Sequence, residues 1–156
     1  MPDDHGLVEA LTTILESLRQ ATRSQRVTLR IDVPARDIHV DRALVEVRDP
    51  GVPAIQADTS LKQRQLATVR HLEATRDLLV QNDCRQDPIS PPPELMAVYG
   101  VRAQILAPLL GADRTLAGWI SVHDTVAPRM WTPHEEAMVR EITARVRRML
   151  EDAGWL

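Results

Sequence analysis

An α+β fold is predicted by three features of this 156-residue chain. Apolar residues recur at helical spacing near both ends. Several short stretches between them alternate apolar and polar residues as strands do, and two of those stretches flank an explicit hairpin turn. The predicted order of elements is α, β, β, α, β, β, β, α.

Residues 6–22 set Leu7, Val8, Leu11, Ile14, Leu15 and Leu18 on one helical face. Val27 to Asp32 alternates strictly and Pro34 ends it, and a second strand over 44–48 is closed by Asp49-Pro50-Gly51. Helical spacing returns over 60–74 through Leu61, Leu66, Val69 and Leu72, followed by a short strand over 77–81. Residues 82–93 hold Pro88, Pro91, Pro92 and Pro93 and read as a loop. The strands 102–109 and 115–123 are joined through Gly111-Ala112-Asp113-Arg114. Thr132 then caps the last helix, Pro133 suits its first position, and Glu135 completes a capping box. That helix runs to about Asp152 with Met138, Ile142, Val146 and Met149 along one side. No repeat, low-complexity tract or second-domain boundary interrupts the pattern. The expectation is one domain over 1–156: an N-terminal helix (1–23), sheet and pocket segments (24–131), and a C-terminal helix (132–152).

Hydrophobic residues make up 44% and charged residues 26%, the composition of a chain that can bury a core. A net charge of -3 offers no electrostatic footprint for nucleic acid. No apolar run is long enough to span a membrane, and the start Met1-Pro2-Asp3-Asp4-His5 is acidic where a secretory signal is basic. The one cysteine, Cys84, makes no internal disulfide and no cysteine-based zinc motif. A cytoplasmic location, no resident metal and no cofactor are therefore expected.

The run Pro93-Glu94-Leu95-Met96-Ala97-Val98-Tyr99-Gly100-Val101-Arg102-Ala103-Gln104-Ile105-Leu106-Ala107-Pro108-Leu109 resembles a GAF domain. So do Leu116 to Asp124 and the Thr132-Pro133 helix start. The pattern is a short helix, a glycine, a strand ending in Pro-Leu, a hairpin turn, a Gly-containing strand and a final helix. The resemblance spans nearly the whole chain and is most specific over 77–150. It implies a central antiparallel sheet of five to six strands with the terminal helices on one face. Loops and short helices enclose a pocket on the other. It also implies that the two terminal helices pair between subunits in a homodimer.

Alternation sorts each strand into two faces. Val27, Leu29, Ile31, Val45, Val47, Ala103, Ile105, Ala107, Leu109, Leu116, Gly118, Ile120 and Val122 form an aliphatic face for the terminal helices to cover. The opposite face carries Arg30, Glu46, Arg102, Gln104, Trp119, Ser121 and His123. It is either a solvated sheet surface or, as the resemblance implies, the wall of a ligand pocket. In a pocket, Arg30 or Arg102 can hold a carboxylate through two parallel hydrogen bonds, and Trp119 supplies a flat apolar wall. The expected ligand is a small polar or aromatic acid. His71, on the 60–74 helix, either borders the ligand or lies on the surface.

Catalysis has weaker support. Glu46, Ser121 and His123 are the candidates for an enzyme in the same pocket, but no carboxylate is evident to orient His123. Asp124 follows it in a strand and so points the other way. Cys84 reads as structural: a methionine-sulfoxide reductase of this fold needs a resolving thiol, and bilin-linking members usually place a His after the cysteine, where this chain has Arg85. Asp37, His39 and Asp41 alternate as metal ligands can, though a solvated loop is the commoner reason. The cyclic-nucleotide pattern of the family is absent. Three functions remain: a sensor that signals through dimer or partner contacts, an enzyme on a small metabolite, and a structural interaction domain without ligand.

Overall fold

The computed structural model describes residues 3–156, without the side chains of residues 94 and 95; Met1 and Pro2, which open the expected N-terminal segment, lie outside the described residues. Helix α1, Asp4–Thr22, starts where the Asp3 carboxylate accepts the Gly6 N–H at 2.6 Å and ends at Arg23 in the left-handed region. Leu7, Leu11, Leu15 and Leu18 are buried along one side. Two short 3-10 turns lie over Pro34–Arg36 and Gln63–Gln65. Helix α2 is Ala67–Thr75, α3 is Pro93–Tyr99 and α4 is Pro133–Asp152. The expected capping box is formed: Thr132 Oγ1 accepts the Glu135 N–H at 3.1 Å and the Glu135 carboxylate accepts the Thr132 N–H at 2.9 Å.

Five strands make one antiparallel sheet: β1 Arg26–Ile31, β2 Val45–Arg48, β3 Leu79–Gln81, β4 Ala103–Leu110 and β5 Leu116–Asp124, in the order β2-β1-β5-β4-β3. The helix stripes of α1 and α4 pack on the aliphatic face to form the main core. A fully buried leucine or valine in such a core contributes about 1.5–3 kcal/mol, so the alternation strongly specifies which face is inward. β1 crosses β5 so closely at Gly118 that a Cβ there would lie 2.8 Å from the Ile31 Cα, with the Arg30 carbonyl oxygen nearer still.

Four differences from the sequence expectation matter. The 60–74 helix is a 3-10 turn followed by a helix that starts only at Ala67, because Leu66 is extended and no side chain caps an earlier start. Helix α3 adds an element to the predicted order and closes at Gly100, φ 68°. Strand β4 begins at Ala103, leaving Arg102 outside it. A register shift between Leu109 and Leu110 moves Leu116 off the aliphatic face and into a second cluster beneath α2 and α3, with Leu106, Tyr99 and Trp119.

The terminal helices pack on each other and turn their large apolar residues inward. Leu150 is fully buried and Met138 half-buried, and the outer face of α4 carries Ala137, Arg140, Glu141, Ala144, Arg145 and Arg148. No helix among the described residues is long and apolar enough to cross a membrane.

Candidate functional site

The polar face is laid out in cross-strand rows. Arg26 stands beside His123, which stands beside Gln104 and then Gln81; Thr28 pairs Ser121, and Arg30 pairs Trp119. Segments 55–69 and the end of α3 cover these rows. Arg30, Gln104, Trp119, Ser121 and His123 thus come together around an enclosed cavity with Thr28, Gln63 and Tyr99. Its volume is about 20 Å³, room for a water molecule.

Three of the expected residues do not reach it. Glu46 lies on the same face, but its carboxylate accepts the Ile55 N–H at 2.7 Å and sits between Arg26 (3.9 Å) and Arg48 (3.6 Å). Arg102 precedes β4, where its backbone ties Cys84 and Asp124 together through two 2.8 Å hydrogen bonds. His71 is rotated away, because α2 directs Thr68, Val69 and Leu72 inward.

Arg30 is 2% exposed. One guanidinium nitrogen donates to the Val40 carbonyl at 2.9 Å and the other reaches the Tyr99 hydroxyl only at 3.4 Å. No carboxylate lies within ion-pair distance among the described residues; Asp41 and Asp58 act on it only from further off. Burial therefore lowers its affinity for its own proton.

Arg26, missed in the sequence, is fully buried. Its Nη1 donates to the Tyr99 carbonyl at 2.6 Å and lies 3.2 Å from His123 Nδ1, and Nη2 donates to the Pro53 carbonyl at 2.9 Å. A guanidinium has no acceptor, so His123 Nδ1 must accept and the ring proton resides on Nε2. Burial, and then the Arg26 and Arg30 charges, hold the imidazole neutral by pushing its pKa well below the ordinary value. His123 is thus a donor at Nε2. It is not poised as a base for Ser121, to which no hydrogen bond joins it among the described residues, and Asp124 turns away to accept the Val126 and Ala127 N–H groups.

The Gln63 amide, also missed, is 3% exposed and its Nε2 has no partner among the described residues. Gln104 is more constrained than expected. It donates to Gln81 Oε1 at 2.7 Å, and Gln81 in turn donates to the Ile89 carbonyl at 2.6 Å, which pins the proline loop. Arg30, Gln63 and His123 thus turn N–H donors toward the cavity, beside the Thr28 and Ser121 hydroxyls. Arg26 was within reach of the sequence, since it extends the β1 alternation by one residue. Gln63 lies in the 60–74 stretch, whose apolar spacing does not say where its polar residues point, and Tyr99 comes from the short helix before β4.

Cys84 is buried against the same loop, and its thiol is pushed up to about 12, chiefly by burial and then by Asp87 and Asp83. Asp37 and His39 pair at 3.2 Å on the surface, and no cluster of three potential metal-binding side chains forms among the described residues.

The five-stranded antiparallel sheet carries the terminal helices on one face and a covered polar cavity on the other. The family model described as GAF domain matches residues 6–150, and the chain belongs to that family. No curated protein matches the sequence. Solved structures similar to this chain include GAF3 from Slr1393 of Synechocystis sp. PCC6803 in its photoproduct state, at 16% identity and TM-score 0.74, covering 95% of each chain. The red light-absorbing state of NpR6012g4, a red/green cyanobacteriochrome, is 19% identical with TM-score 0.74 and 96% of each chain covered. JSC1_58120g3 with bound biliverdin IXa is 15% identical, with TM-score 0.74, 96% of this chain and 92% of that one covered. In this conformation the cavity has room only for a water-sized group, so any larger ligand requires its cover to move, and the one cysteine is a buried thiol.

Proposed function

We propose that this domain is a small-molecule sensor whose ligand is a small polar or aromatic acid bound through its carboxylate to Arg30. The observation that carries this reading is a buried guanidinium without a carboxylate partner, facing a cavity to which Gln63 and His123 add further donors. A buried charge of that kind costs several kcal/mol unless something pairs with it. A carboxylate displaces the weakly held Tyr99 hydroxyl, accepts from Arg30 and the His123 Nε2–H, and lays its body on Trp119. Admitting it requires Tyr99 and the 55–69 cover to move outward. That movement is the signal, passed to a partner or a second copy, and the domain works in a reducing cytoplasm.

A second reading is a structural interaction domain without ligand, and the 20 Å³ cavity favours it. A thermal-shift screen of benzoate, phenylacetate and short aliphatic acids against their amides separates the two. Stabilisation by acids alone, about 2.7 kcal/mol at a hundredfold excess over Kd, supports the sensor. Stabilisation by amides but not acids overturns the carboxylate, and a flat response to both favours the structural reading. The homodimer through α1 and α4 has no large exposed apolar residue on either helix to drive it. Sedimentation equilibrium at micromolar concentration decides it, a monomer ending the proposal.

A further inference from the structure

A second concavity, separate from the cavity, lies where α4 passes the end of the β4–β5 hairpin and the turn before β3. It measures about 380 Å³. Four arginines border it, Arg76, Arg114, Arg140 and Arg147, against one carboxylate, Asp77. The chain as a whole carries 19 basic and 22 acidic residues. Two further carboxylates stand at the rim of the concavity, Glu151 against Arg147 and Asp113 near Arg76, so the surplus of positive charge comes from Arg76 and Arg114.

The arginines divide into two kinds. Arg147 is tethered, Nε donating to the Leu110 carbonyl at 2.8 Å and Nη1 pairing Glu151 at 2.9 Å; Arg140 pairs Asp77 at 2.8 Å. Arg76 and Arg114 make no ion pair among the described residues. Each is held at a sharp turn in the left-handed region, φ 55° and 64°. Between them the floor is apolar, with Leu78, Pro108 and Ala144.

We propose that this groove binds a phosphate monoester of nucleotide size. Free guanidinia grip phosphate oxygens through paired N–H donors, and a cleft lined by one sign of charge concentrates the opposite ion. The tethered pair is neutralised by Asp77 and Glu151, so the grip on an anion falls to Arg76 and Arg114. The apolar floor accepts a flat body, and the volume falls at the small-molecule end of ligand sites.

The test is titration of adenosine 5′-monophosphate into the 15N-labelled chain, with adenosine and inorganic phosphate in parallel. Amide shifts are expected at 76–78, 110–114 and 140–147, with the monophosphate bound at least about tenfold tighter than either fragment. The double variant R76N/R114N, chosen because asparagine tolerates the left-handed region, is expected to weaken binding by about tenfold or more at an unchanged melting temperature. Should the double variant unfold, Arg114→Asn alone is expected to weaken binding several-fold. Equal binding of adenosine, shifts confined to the internal cavity, or undiminished binding by the folded variant overturns the proposal. So does a hexaglutamate peptide that binds more tightly than the monophosphate and displaces it, which makes the groove a protein-docking surface.

Discussion

Arg30→Met removes a buried charge that has no carboxylate within ion-pair distance among the described residues. In most proteins, truncating a buried arginine costs about 3–5 kcal/mol, because its partner charge is left unpaired. Arg30 has no such partner. The variant loses one good hydrogen bond, to the Val40 carbonyl at 2.9 Å, and leaves that carbonyl unsatisfied, a cost of about 1–3 kcal/mol. The 3.4 Å contact to the Tyr99 hydroxyl is too long to count for much. Against this stands the relief of a desolvated guanidinium at 2% exposure, an effect of several kcal/mol, with methionine filling the space of the aliphatic stem. The expected net change is between zero and about 2 kcal/mol of stabilisation, while stabilisation by acids disappears. Urea unfolding followed by far-UV circular dichroism gives the stability, and the acid screen gives the binding. A loss of about 3 kcal/mol or more, or acid binding that survives the substitution, would refute the assignment of Arg30 to a ligand.

Gly118→Ala is expected to lower the melting temperature sharply or abolish folding, because its Cβ meets backbone atoms of Arg30 and Ile31 that cannot give way; a thermal melt within a few degrees of the parent contradicts the strand register. His123, held neutral in the fold, takes up no proton where the unfolded chain does. Stability from this group is therefore complete above its ordinary pKa of 6.5 and declines as pH falls below it, by about 1.4 kcal/mol per pH unit. Unfolding measured between about pH 7.5 and about 5 shows that slope, and His123→Gln reduces it; identical slopes in the two proteins exclude the buried neutral imidazole. Cys84 is expected to resist a disulfide reagent in the native state and to react fully once unfolded, and rapid native labelling contradicts its burial.

The fold was legible because its signals are local. Helical spacing, strand alternation, the 111–114 turn and the Thr132 capping box each depend on residues near one another in the chain, and a buried face makes a one-residue slip costly. The same alternation placed Arg30, Gln104, Trp119, Ser121 and His123 on one wall. The bulge at Leu109–Leu110 was not legible, since nothing local separates a shifted register from a regular one, and it displaced Leu116. Glu46 and Arg102 had the right parity for the polar face. Their actual positions were decided by the 53–55 segment that captures the Glu46 carboxylate and by the point where β4 begins.

The sequence by itself determined the domain family, the order of the strands and of every helix but α3, and the polar wall of the cavity. Only the tertiary structure decided how that wall is closed. Tyr99 and Gln63 arrive from separate cover segments, Arg26 and His123 meet across 97 residues, and Arg30 has no carboxylate within ion-pair distance among the described residues. Partners brought together over such separations depend on how loops settle over the sheet, which no short-range pattern in the chain encodes.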